Sequence, residues 1–161
     1  IGFTEPSREN GDQEMLRGMR ENRIAFDDKS NTIFLPHHDP NTNTIRRSLL
    51  SDITNSSLPI VHQSGKLPIG EYLSEMDKHK YVICLEGSGI DTHRVYECLL
   101  LDCVPIMKRT PLETLFVDFN LPGIFVDSWD ELDDEFFSKI ESQEFSHASN
   151  GEFLLAKTHI K

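Results

Sequence analysis

Positive charge is scarce in this chain: 16 Lys and Arg stand against 27 Asp and Glu over 161 residues, a formal net charge of -11. Nucleic acids and anionic membrane surfaces are bound mainly through excess Lys and Arg, so this balance argues against both as partners. Any anionic ligand must be met by a local cationic cluster. Cysteine is scarce as well. The three cysteines, Cys84, Cys98 and Cys103, are odd in number and form no CxxC pair, which speaks against a disulfide framework or a zinc site. They lie in or beside apolar segments and read as buried, reduced core thiols. No apolar run approaches the length that crosses a bilayer, and no leader peptide is visible, so the chain reads as soluble with no transmembrane segment. The sequon Asn55-Ser56-Ser57 is too short a pattern to decide the compartment.

With 37% apolar and 27% charged residues, the composition is that of a globular domain with a real core. Residues 1–30 are charged and apolar-poor, with Met15, Leu16 and Met19 as the helical stripe, and read as an N-terminal arm or edge helix. Over 31–161, short β-type runs at 32–35, 59–62, 81–85, 104–107 and 123–126 alternate with helical patterns at 44–53, 69–76, from about 91, near 112–116 and over 130–140. Such alternation means βαβ units. The expected fold is α/β, a Rossmann-like doubly wound parallel sheet forming one domain. In such sheets ligands bind beyond the carboxyl ends of the strands. That directs attention to His37 and His38, Gln63 and Ser64, Glu86 to Asp91, Lys108 and Arg109, and Asp127 and Ser128. The stretch DSWDELDDEFFSKIESQE carries eight carboxylates and one Lys and reads as a solvated helix. Ser128 and Glu131 form its capping box, and Trp129, Leu132, Phe136 and Phe137 face inward.

The densest signal is KYVICLEGSGIDTHRVYECLLLDCVPIMK, residues 80–108. A buried-type strand runs into Glu86-Gly87-Ser88-Gly89, where two glycines allow a tight turn and close backbone approach to a ligand. Asp91 or Thr92 can then cap a helix whose Val95, Leu99, Leu100 and Cys103 recur toward the core. The start of that helix offers unpaired N–H groups and a positive dipole end to an anion. His93 and Arg94 fall in its first turn, and Arg can bind a phosphate through two parallel hydrogen bonds. Glu97 lies four residues after His93 and three after Arg94, on the same face. A carboxylate does not face phosphate, so Glu97 suits a diol such as ribose, or else simply pairs with Arg94. Other nucleotide motifs fit less well. No glycine loop closes on a Lys-Ser or Lys-Thr pair, as a P-loop needs, and Thr92 stands where a G-x-G-x-x-G fingerprint needs its third small residue. Lys108 and Arg109, about twenty residues further on, could accept a 2'-phosphate, which leaves an NADP oxidoreductase as a third reading. His37-His38-Asp39 is no metal site on a strand, where adjacent side chains diverge.

EGSGIDTHRVYECLLLDCVPIMK resembles the nucleotide-sugar-binding lobe of exostosin-like glycosyltransferases, with their strand, PEGxGxDTHRxxEAL-like pattern and VPI or IPI strand. The likeness extends over roughly 32–137 and takes in Arg46 and Arg47 on the helix after the first strand and LPGIFVDSW before the acidic helix. Cys98 and Asp102 stand where the family usually has Ala and Gly. The resemblance implies one lobe of a GT-B type enzyme transferring a sugar from a nucleotide diphosphate sugar, UDP- or GDP-linked, to the hydroxyl of a carbohydrate or glycan acceptor. By that analogy His93, Arg94 and the Gly87-Ser88-Gly89 backbone hold the diphosphate and Glu97 the ribose. Glu86 would serve the sugar or the loop geometry, and Asp91 would hold the turn beside Thr92. Arg46, Arg47, Lys108 and Arg109 are weaker phosphate candidates.

No DxD sequence is present, which suits a metal-independent enzyme with no cofactor beyond its donor substrate. The catalytic base is not identifiable in this lobe and is expected from the other one. Since the chain begins at Ile1 rather than Met, it reads as a possible piece of a longer protein. The compartment follows from that: cytoplasmic for the chain as it stands, lumenal Golgi for a fragment of an anchored protein. The alternative is a non-catalytic one-lobe α/β module that binds nucleotide or a partner, consistent with a length of one lobe.

Overall fold

Apolar residues fill both faces of the strands in a computed structural model that describes residues 12–39, 53, 57–87 and 92–145. Five strands, β1 (Ser30–Leu35), β2 (Ile60–His62), β3 (His79–Ile83), β4 (Val104–Lys108) and β5 (Ile124–Val126), form one sheet in the order β2-β1-β3-β4-β5. Every pairing is parallel, with Ile33 opposite Ile60 and Tyr81 opposite Val104. Side chains alternate across the pleat. Phe34, Val82 and Met107 lie in one core cluster, and Ile33, Leu35, Tyr81, Ile83, Val104, Ile106, Ile124 and Val126 lie in the other.

Helices cover both faces, which makes the fold the expected Rossmann-like doubly wound α/β architecture. Helices α2 (Ile69–Met76), α3 (His93–Leu100) and α4 (Leu112–Asp118) connect successive strands from β2 to β5 and bury Leu73, Met76, Val95, Leu99, Leu100 and Phe116 in the Phe34 cluster. The connection from β1 to β2 runs in the opposite direction across the sheet. A right-handed crossover then falls on the other face, and the buried Ile53 lies there. The rest of the helix expected over 44–53 lies outside the described residues. The N-terminal helix α1 (Gln13–Glu21) is capped by Asp12, whose carboxylate accepts from Glu14 N at 2.9 Å and Met15 N at 3.1 Å. Its Leu16 is wholly buried in the Phe34 cluster, with Met15 and Met19 packed against it.

The acidic helix expected over 130–140 is divided in two. A single 3-10 turn, Trp129–Glu131, comes first and α5 (Asp134–Glu141) follows. The Ser128–Glu131 capping box is formed, with Glu131 Oε1 accepting from Ser128 N at 2.6 Å, but it caps the short turn. Asp133 is extended and starts a new helix by accepting from Phe136 N at 2.8 Å. Two capping residues five positions apart, Ser128 and Asp133, outcompete helix continuation, and the break lets Trp129 and Leu132 both reach the core.

The end of α3 explains one departure noted in the sequence. Cys103 N bonds Cys98 O at 3.0 Å and Asp102 N bonds Leu99 O at 3.3 Å, the paired bonds of a Schellman cap. That places Asp102 at φ 54°, a position glycine usually takes. Its carboxylate instead holds the Arg23 Nε behind α1. Cys84, Cys98 and Cys103 are free and buried, as expected, and burial pushes the Cys98 thiol well up.

A buried histidine gives the fold a defined pH response. His79 is 5% exposed, hydrogen-bonds Thr32 Oγ1 through Nδ1 at 2.6 Å, and stacks on Phe34 with ring centroids 5.1 Å apart. Burial lowers its pKa below the ordinary 6.5, outweighing the nearby Glu75 carboxylate. Below that pH the unfolded chain takes up a proton that the folded one refuses, so the folded state loses stability as pH falls from 6.5 toward the depressed value, and loses none above 6.5. Urea unfolding between pH 8 and pH 5.5 should therefore show a steeper acid-side loss in the wild type than in His79→Gln. Parallel curves for the two would refute this.

Candidate functional site

The strand order sets where a ligand can enter. The chain steps outward from β1 to β2, then returns past β1 to β3 and continues the other way, so the connections diverge between the carboxyl ends of β1 and β3. A crevice opens at such a switch point, because neighbouring connections leave toward opposite faces. His37 and His38 follow β1 there, and Glu86 and Gly87, both half-buried, follow β3. Ser88, Gly89 and Asp91 lie outside the described residues. Thr92 occupies the N-cap position of α3 with an extended backbone, yet its side chain makes no capping bond. Its buried Oγ1 has no hydrogen-bond partner among the described residues.

From the first turn of α3, Arg94 reaches across to the β1 side. Its Nη1 donates to His38 Nε2 at 2.8 Å, its Nη2 to His37 O at 3.4 Å, and its Nε to the Tyr72 hydroxyl at 3.4 Å. His38 is 4% exposed, and its Nδ1 lies 2.6 Å from Pro36 O. A carbonyl only accepts, so the proton sits on Nδ1 and Nε2 presents a lone pair to Arg94. The acceptors around Arg94 are thus all neutral. Among the described residues no carboxylate pairs with this guanidinium, and two of its five N–H groups find no acceptor there.

The Arg94–Glu97 pair that the spacing allows is not formed. Glu97 Oε2 accepts from the Tyr72 hydroxyl at 3.0 Å, and Oε1 lies 4.0 Å from His93 Nε2. The carboxylate is 1% exposed, while the His93 side chain is 44% exposed above it. Burial raises the Glu97 pKa, opposed by His93 and then by the Tyr72 hydrogen bond. Burial also holds the Tyr72 phenol well above 10, with the Glu97 charge adding to the effect. Thr92, His93, Arg94 and Glu97 therefore share one locus, but Glu97 has no open side toward a diol in this arrangement.

The weaker candidates fare differently. Arg109 is matched by two carboxylates, Asp127 at 2.8 Å and Glu113, so its charge is answered within the fold. Lys108 is exposed at the end of β4, and Arg46 and Arg47 lie outside the described residues. No group of three or more His, Cys, Asp or Glu among the described residues is placed to hold a metal ion. No helix among them is long and apolar enough to cross a membrane. Tyr72 was not singled out from the sequence. It is an ordinary aromatic on an amphipathic helix, 22 residues before Arg94, and only the packing of α2 beside α3 brings it to the site.

The fold and site define a class: a doubly wound parallel α/β domain with a cation at its switch point that no carboxylate among the described residues compensates. Among known proteins, no family model and no curated sequence matches the chain.

Proposed function

We propose that the chain is the donor-binding lobe of a glycosyltransferase resembling the exostosin-like, GT-B type enzymes, transferring a sugar from a nucleotide diphosphate sugar to an acceptor hydroxyl without a metal. The observation that carries this reading is Arg94: a half-buried guanidinium in the first turn of α3, bonded among the described residues only to neutral acceptors, beside the switch-point crevice. Keeping such a charge unpaired is costly unless an anion completes it. The helix dipole and the buried Thr92 hydroxyl lie at the same place and favour the same sign of ligand. Breaking the anomeric C–O bond leaves negative charge on the departing diphosphate, and a cation already in position stabilises that charge more as it grows. The residues offered for donor binding are Glu86, Gly87, Ser88, Gly89, Asp91, Thr92, His93, Arg94 and Glu97. The acceptor and the catalytic base belong to a second lobe.

One observation favours the alternative, a non-catalytic one-lobe module. Glu97, the ribose residue of the resemblance, is covered. Calorimetric titration with UDP, GDP and their sugars separates the cases. Binding of at least one nucleotide is expected, and its complete absence from the intact protein would sink the donor-site reading. Binding without sugar transfer or donor hydrolysis, even when a second lobe is supplied, would leave the non-catalytic module. Fluorescence of bound NADPH would point to the oxidoreductase instead.

A further inference from the structure

Residues three apart on a helix, one Arg and one Glu, ordinarily find each other. In a half-buried setting the contact would be strong, and a two-pronged pair would occupy the guanidinium fork that an anionic ligand needs. Here the Tyr72 hydroxyl lies between the two. It donates its proton to Glu97 Oε2 at 3.0 Å and turns a lone pair toward Arg94 Nε at 3.4 Å. A hydroxyl is suited to this because it is donor and acceptor at once, whereas a second carboxylate or an amine would favour one side only. Burial keeps the phenol protonated at neutral pH. Of the influences on the Glu97 carboxyl, Arg94 is the smallest, behind burial, His93 and Tyr72 itself, as befits two groups that do not touch. The other acceptors of Arg94, His38 Nε2 and His37 O, are likewise neutral.

We infer that Tyr72 is a positioning residue of this site: its hydroxyl insulates Arg94 from Glu97, so that the guanidinium charge stays available to a diphosphate. The inference rests on the donor-site reading and assigns to α2 a part in it that the α3 motif does not contain. Losing the hydroxyl lets Glu97 swing to Arg94 and cancel the charge from within.

The test uses the intact chain and inorganic pyrophosphate, which has no ribose to involve Glu97, alongside UDP and GDP. By calorimetry, Tyr72→Phe should weaken pyrophosphate binding by about tenfold, the scale of one charge-assisted hydrogen bond. The double variant Tyr72→Phe with Glu97→Gln should return to within about threefold of wild type, since the amide has no charge with which to neutralise Arg94. Wild-type affinity in Tyr72→Phe overturns the inference. So does a weakening that persists in the double variant, because the loss would then be one of packing. If the wild type binds nucleotide and Arg94→Ala loses it while Tyr72→Phe does not, the donor-site reading stands and only the role of Tyr72 falls. If the wild type binds neither pyrophosphate nor nucleotide, the donor site itself is refuted. A second measurement leaves Tyr72 untouched. Carbon NMR titration of the Glu97 carboxyl should move by less than about half a unit on Arg94→Ala, whereas a rise of more than about one unit marks a direct contact and overturns the insulation.

Discussion

Arg94→Ala should weaken binding of a nucleoside diphosphate by about 10- to 100-fold, because a charged hydrogen-bonding group typically contributes about 1.5 to 3 kcal/mol. The fold should barely change. Arg94 is half-buried, and its partners His38 Nε2, His37 O and the Tyr72 hydroxyl are neutral groups that water can serve once the side chain is gone. Arg94→Lys gives the sharper comparison. It keeps the charge but loses the planar fork, so it should fall between wild type and alanine if two phosphate oxygens are gripped together, and match the wild type if only net charge matters. Affinity in the wild type should also fall with added salt more steeply than in Arg94→Ala. Calorimetry at two ionic strengths checks all three, and an alanine variant that binds as tightly as the wild type would remove Arg94 from the site.

The largest loss of stability is expected far from the site, at Asp77. The Lys29 ammonium, with its side chain wholly buried, donates to Asp77 Oδ1 at 2.5 Å and Asp77 O at 2.6 Å, while Asp77 Oδ2 accepts from Ile24 N at 3.0 Å. One carboxylate at the end of α2 thus ties down the segment between α1 and β1. Asp77→Ala leaves the ammonium buried with a single carbonyl partner and should cost about 3 to 5 kcal/mol. That is a large share of the roughly 5 to 15 kcal/mol that holds a domain together. Adding Lys29→Met to Asp77→Ala should recover part of it, since the uncompensated charge is the main penalty. Urea unfolding measures both, and a loss below about 1 kcal/mol in Asp77→Ala would show that water reaches Lys29 in the native state.

Much of the architecture was readable because a parallel sheet covered on both faces writes itself as separate apolar runs. The runs at 32–35, 81–85 and 104–107 each contribute to a strand, and the helix expected over 69–76 coincides with Ile69–Met76. Elements went astray where two local signals compete. Both Ser128 and Asp133 can start a helix, and nothing in the acidic run says that the second would interrupt the first. At the site, the sequence pointed to the first turn of α3 but could not tell the partners of its side chains. Spacing alone left Arg94 paired with Glu97 or with a ligand. The answer depended on a hydroxyl from α2 and on the ring of His38, which are brought near by topology rather than by nearness in the chain.

The three buried cysteines have a practical consequence. Cys84 follows β3, Cys98 lies within α3 and Cys103 closes the turn that leads from it to β4, so the thiols bracket the segment that carries Thr92, His93, Arg94 and Glu97. All three are sealed from solvent, and a thiol reacts as the exposed thiolate. Alkylation under native conditions thus becomes a built-in clock for the opening of this one segment. A ligand that clamps the start of α3 should slow that clock in proportion to its occupancy.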